Sequence, residues 1–106
     1  MAWIFLFCAG VLEIAWAYSM KKSEGFTLLT PTVMTIVLMM ASFALLSVSM
    51  KTLPLSTAYT IWTGIGAVGA FVVGITVLGE AATPLRVLAA LLIVSGIIMM
   101  KLSSTQ

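Results

Sequence analysis

The chain has 106 residues, of which 62% are hydrophobic and 8% are charged, with five basic residues against three acidic ones. A soluble domain carries about 25% charged residues, so this chain lacks the polar surface that water would require. With no histidine, a single cysteine and five basic residues, the composition excludes zinc, haem and intrachain disulfide frameworks and offers no nucleic-acid footprint. We therefore expect no cofactor and no nucleic-acid partner, and a chain whose outer face meets the lipid bilayer.

Four apolar segments predict four transmembrane helices in a single domain over residues 1–106. They run approximately over residues 2–20, 28–50, 55–78 and 85–101. Each is near the ~20 residues that cross a hydrocarbon core of about 30 Å as a helix. The predicted fold class is an all-α integral membrane protein. The first segment lacks a basic leader region and exceeds a signal-peptide core in length, so we expect it to remain in the protein.

In the first helix, Glu13 lies about halfway along and is the one ionisable residue well inside any predicted span. A charged group at a helix centre costs about 2.5–3.5 kcal/mol even on lenient insertion scales, so Glu13 indicates a functional site. Gly10 and Trp16 share its helical face at three-residue spacing. Gly10 permits close approach, and Trp16 offers an indole N–H donor. The alternatives are a protonated packing role for Glu13 and an interfacial anchor role for Trp16.

The second and third helices supply further candidates. Ser42, near the midpoint of the second helix, either bonds its own i−4 carbonyl or lines the site. In the third helix Tyr59 and Trp62 are predicted to wall a polar cavity, with an interfacial belt as the alternative. Gly66 and Gly69 continue the same stripe and predict close helix packing rather than ligand contact.

The fourth helix predicts association between subunits. Ala89 and Gly96 are small residues seven positions apart, which is typical of a groove for another helix. Four helices cannot by themselves enclose a useful solvated cavity, so function inside the membrane implies an oligomer, most simply a dimer. A homodimer is favoured, and a heterodimer with a paralogous chain is the alternative.

The basic residues are almost balanced between the two predicted membrane sides. One side collects Lys51 and Lys101, and the other collects Lys21, Lys22 and Arg86. Because Lys and Arg asymmetry sets the insertion direction, near balance permits insertion in both orientations and hence an antiparallel dimer. The alternative is that one extra basic residue fixes a single topology.

With these residues in view, the chain resembles the small multidrug resistance family over essentially its whole length. The resemblance rests on the chain length, the four spans, the glutamate of the first helix and two motifs. The motifs are Lys-x-Ser-x-Gly-Phe-Thr at 21–27 and the run Ala-Tyr-Thr-Ile-Trp-Thr-Gly-Ile-Gly-Ala-Val-Gly at 58–69.

Within the family the chain looks like the guanidinium-exporter branch. Gly10 and Trp16 flank Glu13, the third helix holds Trp-Thr-Gly-Ile-Gly-Ala-Val-Gly, and Lys101 ends the fourth helix. The chain departs from the branch at Tyr18-Ser19, where members tend to have small or aliphatic residues. A second departure is the alanine at position 89, where relatives often have glycine.

The resemblance implies a secondary active transporter of the bacterial inner membrane rather than an enzyme. It implies an antiparallel, dual-topology homodimer that exchanges protons for a small organic cation. Glu13 would match the shared proton and substrate site. Ser42, Tyr59 and Trp62 would match the site-lining residues, and Trp16 would match the residue that distinguishes the branch.

Two other functions are consistent with the same residues. A broader-range exporter of quaternary ammonium compounds would use the aromatic faces of Trp16, Tyr59 and Trp62, because such cations carry no N–H donors. A non-transporting membrane subunit would leave Glu13 without a purpose at the bilayer centre. The resemblance favours guanidinium or small guanidinyl cations as substrates.

Overall fold

The computed structural model describes residues 1–103 and contains four long helices in that range. They are α1 (Ala2–Lys22), α2 (Leu29–Ser49), α3 (Leu55–Thr76) and α4 (Pro84–Ser103). All four are long and apolar enough to cross a membrane. The described residues contain no strand, and the predicted all-α transmembrane fold class is confirmed.

The helices form a thin slab rather than a closed bundle. The α1 helix packs against both α2 and α3, whereas α4 packs its backbone against α3 alone among the described helices. The Cα atoms extend over 43 × 34 × 16 Å. No residue of α4 is buried, and Leu85 and Leu102 at its two ends are 75% and 80% exposed. In a membrane, such a surface contacts lipid tails or another helix.

The buried core joins the first half of α1 to the first half of α3. Leu6 and Ala9 of α1 are almost fully buried, and Ala58, Ile61 and Trp62 of α3 are buried with them. These side chains belong to one cluster. The cluster fixes α1 against α3 one turn before Glu13, so the position of that carboxylate relative to α3 is set by core packing.

Glycines bring α1 and α3 close together along their contact surface, which we call the seam of α1 and α3. A Cβ on Gly10 would lie 2.7 Å from Cγ2 of Ile65, and a Cβ on Gly69 would collide with the side chain of Ile14. Real Cβ atoms do not tolerate such distances, so both positions need glycine for this approach. The predicted packing role of Gly69 is confirmed.

A tight turn sets the direction of α2 relative to α1. Glu24, Gly25 and Phe26 have φ values of 50°, 75° and 66°, a left-handed conformation that is costly for residues with a side chain. The buried Ser23 hydroxyl stabilises the turn, donating to the Met20 carbonyl at 2.6 Å and accepting from the Phe26 N–H at 3.0 Å. The two helices are thereby connected within six residues.

Candidate functional site

The Glu13 side chain lies between α1 and α3 and is half-buried. Its Oε1 atom is inaccessible to solvent and has no hydrogen-bond partner among the residues that the structure describes. The carboxylate rests against Gly66 of α3, where any Cβ would collide with it. Burying an oxygen atom without a hydrogen-bond donor costs about 1–3 kcal/mol or more of free energy. Binding of a proton or an N–H group at this atom would recover that cost.

Trp16 presents the complementary group one helical turn later. Its indole Nε1 is also buried and also lacks a hydrogen-bond partner within residues 1–103. Buried polar atoms are normally paired, and each exception needs an explanation. A donor and an acceptor left unpaired on successive turns of one helix are consistent with a site that a polar ligand or a second subunit completes.

Ser42 makes a long-range connection rather than a bond to its own helix. Its fully buried hydroxyl donates to the Ala9 carbonyl of α1 at 2.6 Å and accepts from Nε1 of Trp62 at 3.0 Å. Three helices therefore meet at one hydroxyl group. This network fixes Trp62, which is 6% exposed, and holds α2 against α1 one turn before Glu13.

An aromatic row continues from this network. Trp16 packs edge-on against Phe43 at 6.3 Å between ring centroids, and Phe43 packs against Trp62 at 5.7 Å. Tyr59 follows Trp62 at 5.6 Å and is half exposed. Such pairs are favourable at 4.5–7 Å. The row forms a continuous apolar wall with negative ring faces beside the Glu13 helix.

The structure brings most of the predicted site residues into one region. Contacts connect Trp16, Tyr59 and Trp62 through the aromatic row and Trp62 to Ser42 through the hydrogen bond. Gly10 is on the Glu13 face of α1, but what approaches it is Ile65 of α3.

Two contributors were not selected from the sequence. Phe43 connects the two tryptophans, and Gly66 is the surface on which the carboxylate rests. Nothing in the sequence singled out Phe43, because its neighbour Ser42 points to another face of the helix. Gly66 was predicted to pack, and it does pack, but its neighbour is the carboxylate itself. No cluster of His, Cys, Asp or Glu able to hold a metal occurs in residues 1–103.

We predict that Ser42→Ala lowers the free energy of unfolding by about 2 kcal/mol, because the buried Trp62 N–H loses its acceptor. Denaturant titration of the detergent-solubilised protein measures the change. Ser95→Ala is the matched control, since the exposed Ser95 hydroxyl donates to the Leu91 carbonyl of its own helix. Equal effects of the two substitutions would contradict the role given to the network.

Four apolar spanning helices define the chain as a multi-pass membrane protein, and its first span contains a buried, unpaired carboxylate oxygen. A model of the Small Multidrug Resistance protein family matches residues 1–94, and the chain belongs to that family. It is therefore a membrane transporter of the cell membrane rather than an enzyme. This assignment removes the non-transporting subunit as an alternative.

Individual relatives match along almost the full chain. A guanidinium exporter of Salmonella typhimurium is 58% identical over 104 residues, which cover 98% of this chain and 99% of the relative. A guanidinium exporter of Citrobacter freundii is 56% identical with the same coverage. A guanidinium exporter of Escherichia coli strain K12 is 54% identical, again over 98% and 99% of the two chains.

Proposed function

We propose that this protein is a proton-coupled antiporter that exports guanidinium or small guanidinyl cations, with Glu13 binding both the proton and the cation. The observation that carries the proposal is the identity of 54–58% with guanidinium exporters along nearly the whole chain. Gly10, Trp16, Ser42, Tyr59 and Trp62 line or support the site. The unpaired atoms of Glu13 and Trp16 support the placement of the site on α1.

The chemistry of the site suits a planar cation with N–H donors. Guanidinium is charged at any physiological pH and presents N–H groups in a fork that matches a carboxylate. Oε1 of Glu13 is a buried acceptor that such a donor would satisfy. The ion pair and the hydrogen bond then form in a region from which water is largely excluded, where both are stronger than in water.

Coupling follows from competition for the same oxygen atoms. A proton on Glu13 removes the negative charge that the cation needs, and a bound cation excludes the proton. Alternating exposure of one such site to the two sides of the membrane exchanges protons for cations. Trp16 acts as a donor that orients a carboxylate, and Ser42 fixes Trp62 as a rigid wall of the site.

An antiparallel homodimer completes the proposal. A slab 16 Å thick with no buried residue in α4 leaves a large apolar surface without a protein neighbour in the described chain. The three-to-two distribution of basic residues is consistent with insertion in both directions. Two Glu13 carboxylates, one from each subunit, would then face one cavity.

The aromatic row supports a second candidate function, the export of quaternary ammonium compounds. Such cations have no N–H donors and bind to ring faces at about 6 Å from the centroids. Trp16, Phe43, Trp62 and Tyr59 provide consecutive rings. This substrate would leave Oε1 of Glu13 without a donor, and for that reason the guanidinium proposal is preferred.

Transport into liposomes that contain a trapped pH-sensitive dye tests the proposal. We predict that guanidinium moves protons across the reconstituted membrane at least tenfold faster than tetraethylammonium at equal concentration, because only guanidinium can donate to Glu13. Protein-free liposomes are the control. The dye reports protons directly, so the readout does not depend on net charge movement.

Other outcomes are equally informative. Equal proton movement with both cations would overturn the narrow specificity and favour the aromatic row as the main binding element. Uptake of labelled guanidinium without proton movement would contradict coupling, and no uptake of either cation would contradict the proposed substrates.

A further inference from the structure

A cavity lies between the start of α1, the middle of α3 and the end of α4, and Glu13 is not among its lining residues. Its volume is about 230 Å³. Among its lining residues are the aliphatic side chains Leu6, Ile61, Ile65 and Ile97, and the one charged residue in the lining is Lys101. The combination is an apolar groove with a single cation.

Lys101 lies against an aromatic ring at the edge of the groove. Its Nζ lies 4.7 Å from the ring centroid of Trp3, a cation–π distance. All three acidic residues of the sequence lie elsewhere, Glu13 in the middle of α1 and Glu24 and Glu80 in the connections at the opposite end of the helices. Within residues 1–103, the carboxylate side chains thus all lie away from the ammonium group, which is held above the groove.

We propose that this groove binds one acyl chain of an anionic phospholipid and that the Lys101 ammonium binds the phosphate of its headgroup. Trp3 is a typical residue of the headgroup level, and a lysine at a helix end reaches the same level. Basic pockets between transmembrane helices are a recognised type of site for anionic headgroups. The groove adds an aliphatic surface that an acyl chain can contact and that a free anion cannot.

Charge distinguishes a phospholipid from helix α4 of a second copy as the occupant of the groove. Helix α4 contains no acidic residue that could pair with the Lys101 ammonium. The phosphate of an anionic phospholipid would pair with that ammonium, and its acyl chain would match the aliphatic lining. The proposed occupant is therefore a phospholipid, and helix α4 of a second copy is an outcome that the experiment must be able to detect.

Lys51 provides a matched control. It is exposed in the connection between α2 and α3, at the same end of the helices as Lys101. It carries the same charge and lines no part of this groove. If the lysines only attract anionic lipid in general, replacing either one weakens lipid binding equally. If the groove is a specific site, only replacement of Lys101 weakens lipid binding.

Native mass spectrometry of the purified full chain with phosphatidylglycerol or phosphatidylethanolamine tests the proposal. We expect retained phosphatidylglycerol, about fivefold weaker binding in Lys101→Gln, wild-type binding in Lys51→Gln and recovery in Lys101→Arg. Fivefold is the loss of affinity expected when one basic residue near an anionic headgroup loses its charge. Glycerol phosphate, a headgroup without acyl chains, is expected not to compete.

Three results would overturn the proposal. Equal weakening by Lys101→Gln and Lys51→Gln would indicate general charge attraction. Effective competition by glycerol phosphate would indicate an anion site without a lipid component. A changed ratio of monomer to dimer in Lys101→Gln, with unchanged lipid retention, would assign the groove to a subunit interface.

Discussion

We expect Glu13→Gln to abolish proton-coupled guanidinium transport, with proton movement in liposomes reduced at least 100-fold. Glutamine keeps the size and polarity of the side chain but carries no negative charge and cannot bind and release a proton at physiological pH. Removing one partner of a desolvated ion pair costs about 3–5 kcal/mol, which corresponds to a factor of roughly 100 or more. The substitution also removes the costliest group in the span, so insertion into the membrane is expected to be preserved.

Glu24→Gln is the matched control for this prediction. Glu24 lies in the turn between α1 and α2 and is exposed, so its charge contributes nothing to an intramembrane site. We expect transport within twofold of the wild-type rate. Undiminished proton-coupled transport by Glu13→Gln, with equal protein in the liposomes, would refute the role given to this carboxylate.

The fold could be predicted because the bilayer imposes one dominant constraint. Every backbone polar group must be satisfied inside the hydrocarbon region, and runs of about 20 apolar residues therefore become helices. Helix ends are less determined by apolarity. The structure extends α1 through Lys22, where basic side chains compensate the partial negative charge of the helix C-terminus, and ends α3 at Thr76, shortly before the positive φ of Gly79.

The candidate site could be predicted in part, and the reason is physical. Glu13 and Trp16 belong to one helix, so the helical period alone places them on one face. The connection of Ser42 to Ala9 and the contact of Gly66 with Glu13 depend on how far one helix slides along another. That register is set by the packing of the core and of the seam glycines, which spacing within one helix does not encode.

Gly66→Ala is the second substitution with a large expected effect. A methyl group at this position would collide with the Glu13 carboxylate, so either the carboxylate or the α3 backbone must move. We expect guanidinium affinity, measured by calorimetry on the detergent-solubilised protein, to fall at least tenfold. Displacement of about 1 Å in a binding group has costs of this size when the site is preorganised.

A simple loss of affinity would not separate displacement of the carboxylate from general loosening of the helix seam, so the measurement is repeated in a Glu13→Asp background. Aspartate withdraws the carboxylate by one methylene and lessens the collision without removing it, because Cγ of Glu13 also lies 2.8 Å from the Cβ position on Gly66. We expect the additional loss caused by Gly66→Ala to be smaller in that background than in the wild type. Such non-additivity is the signature of two groups in direct contact.

Gly69→Ala completes the comparison because its methyl group would meet Ile14, an aliphatic neighbour of the same seam. It disturbs packing between α1 and α3 without touching the carboxylate. We expect its effect on affinity to be the same in the wild-type and Glu13→Asp backgrounds. If Gly66→Ala behaved in the same additive way, Gly66 would be a packing residue only. The carboxylate would then owe its position to the fixed seam of α1 and α3 rather than to this contact.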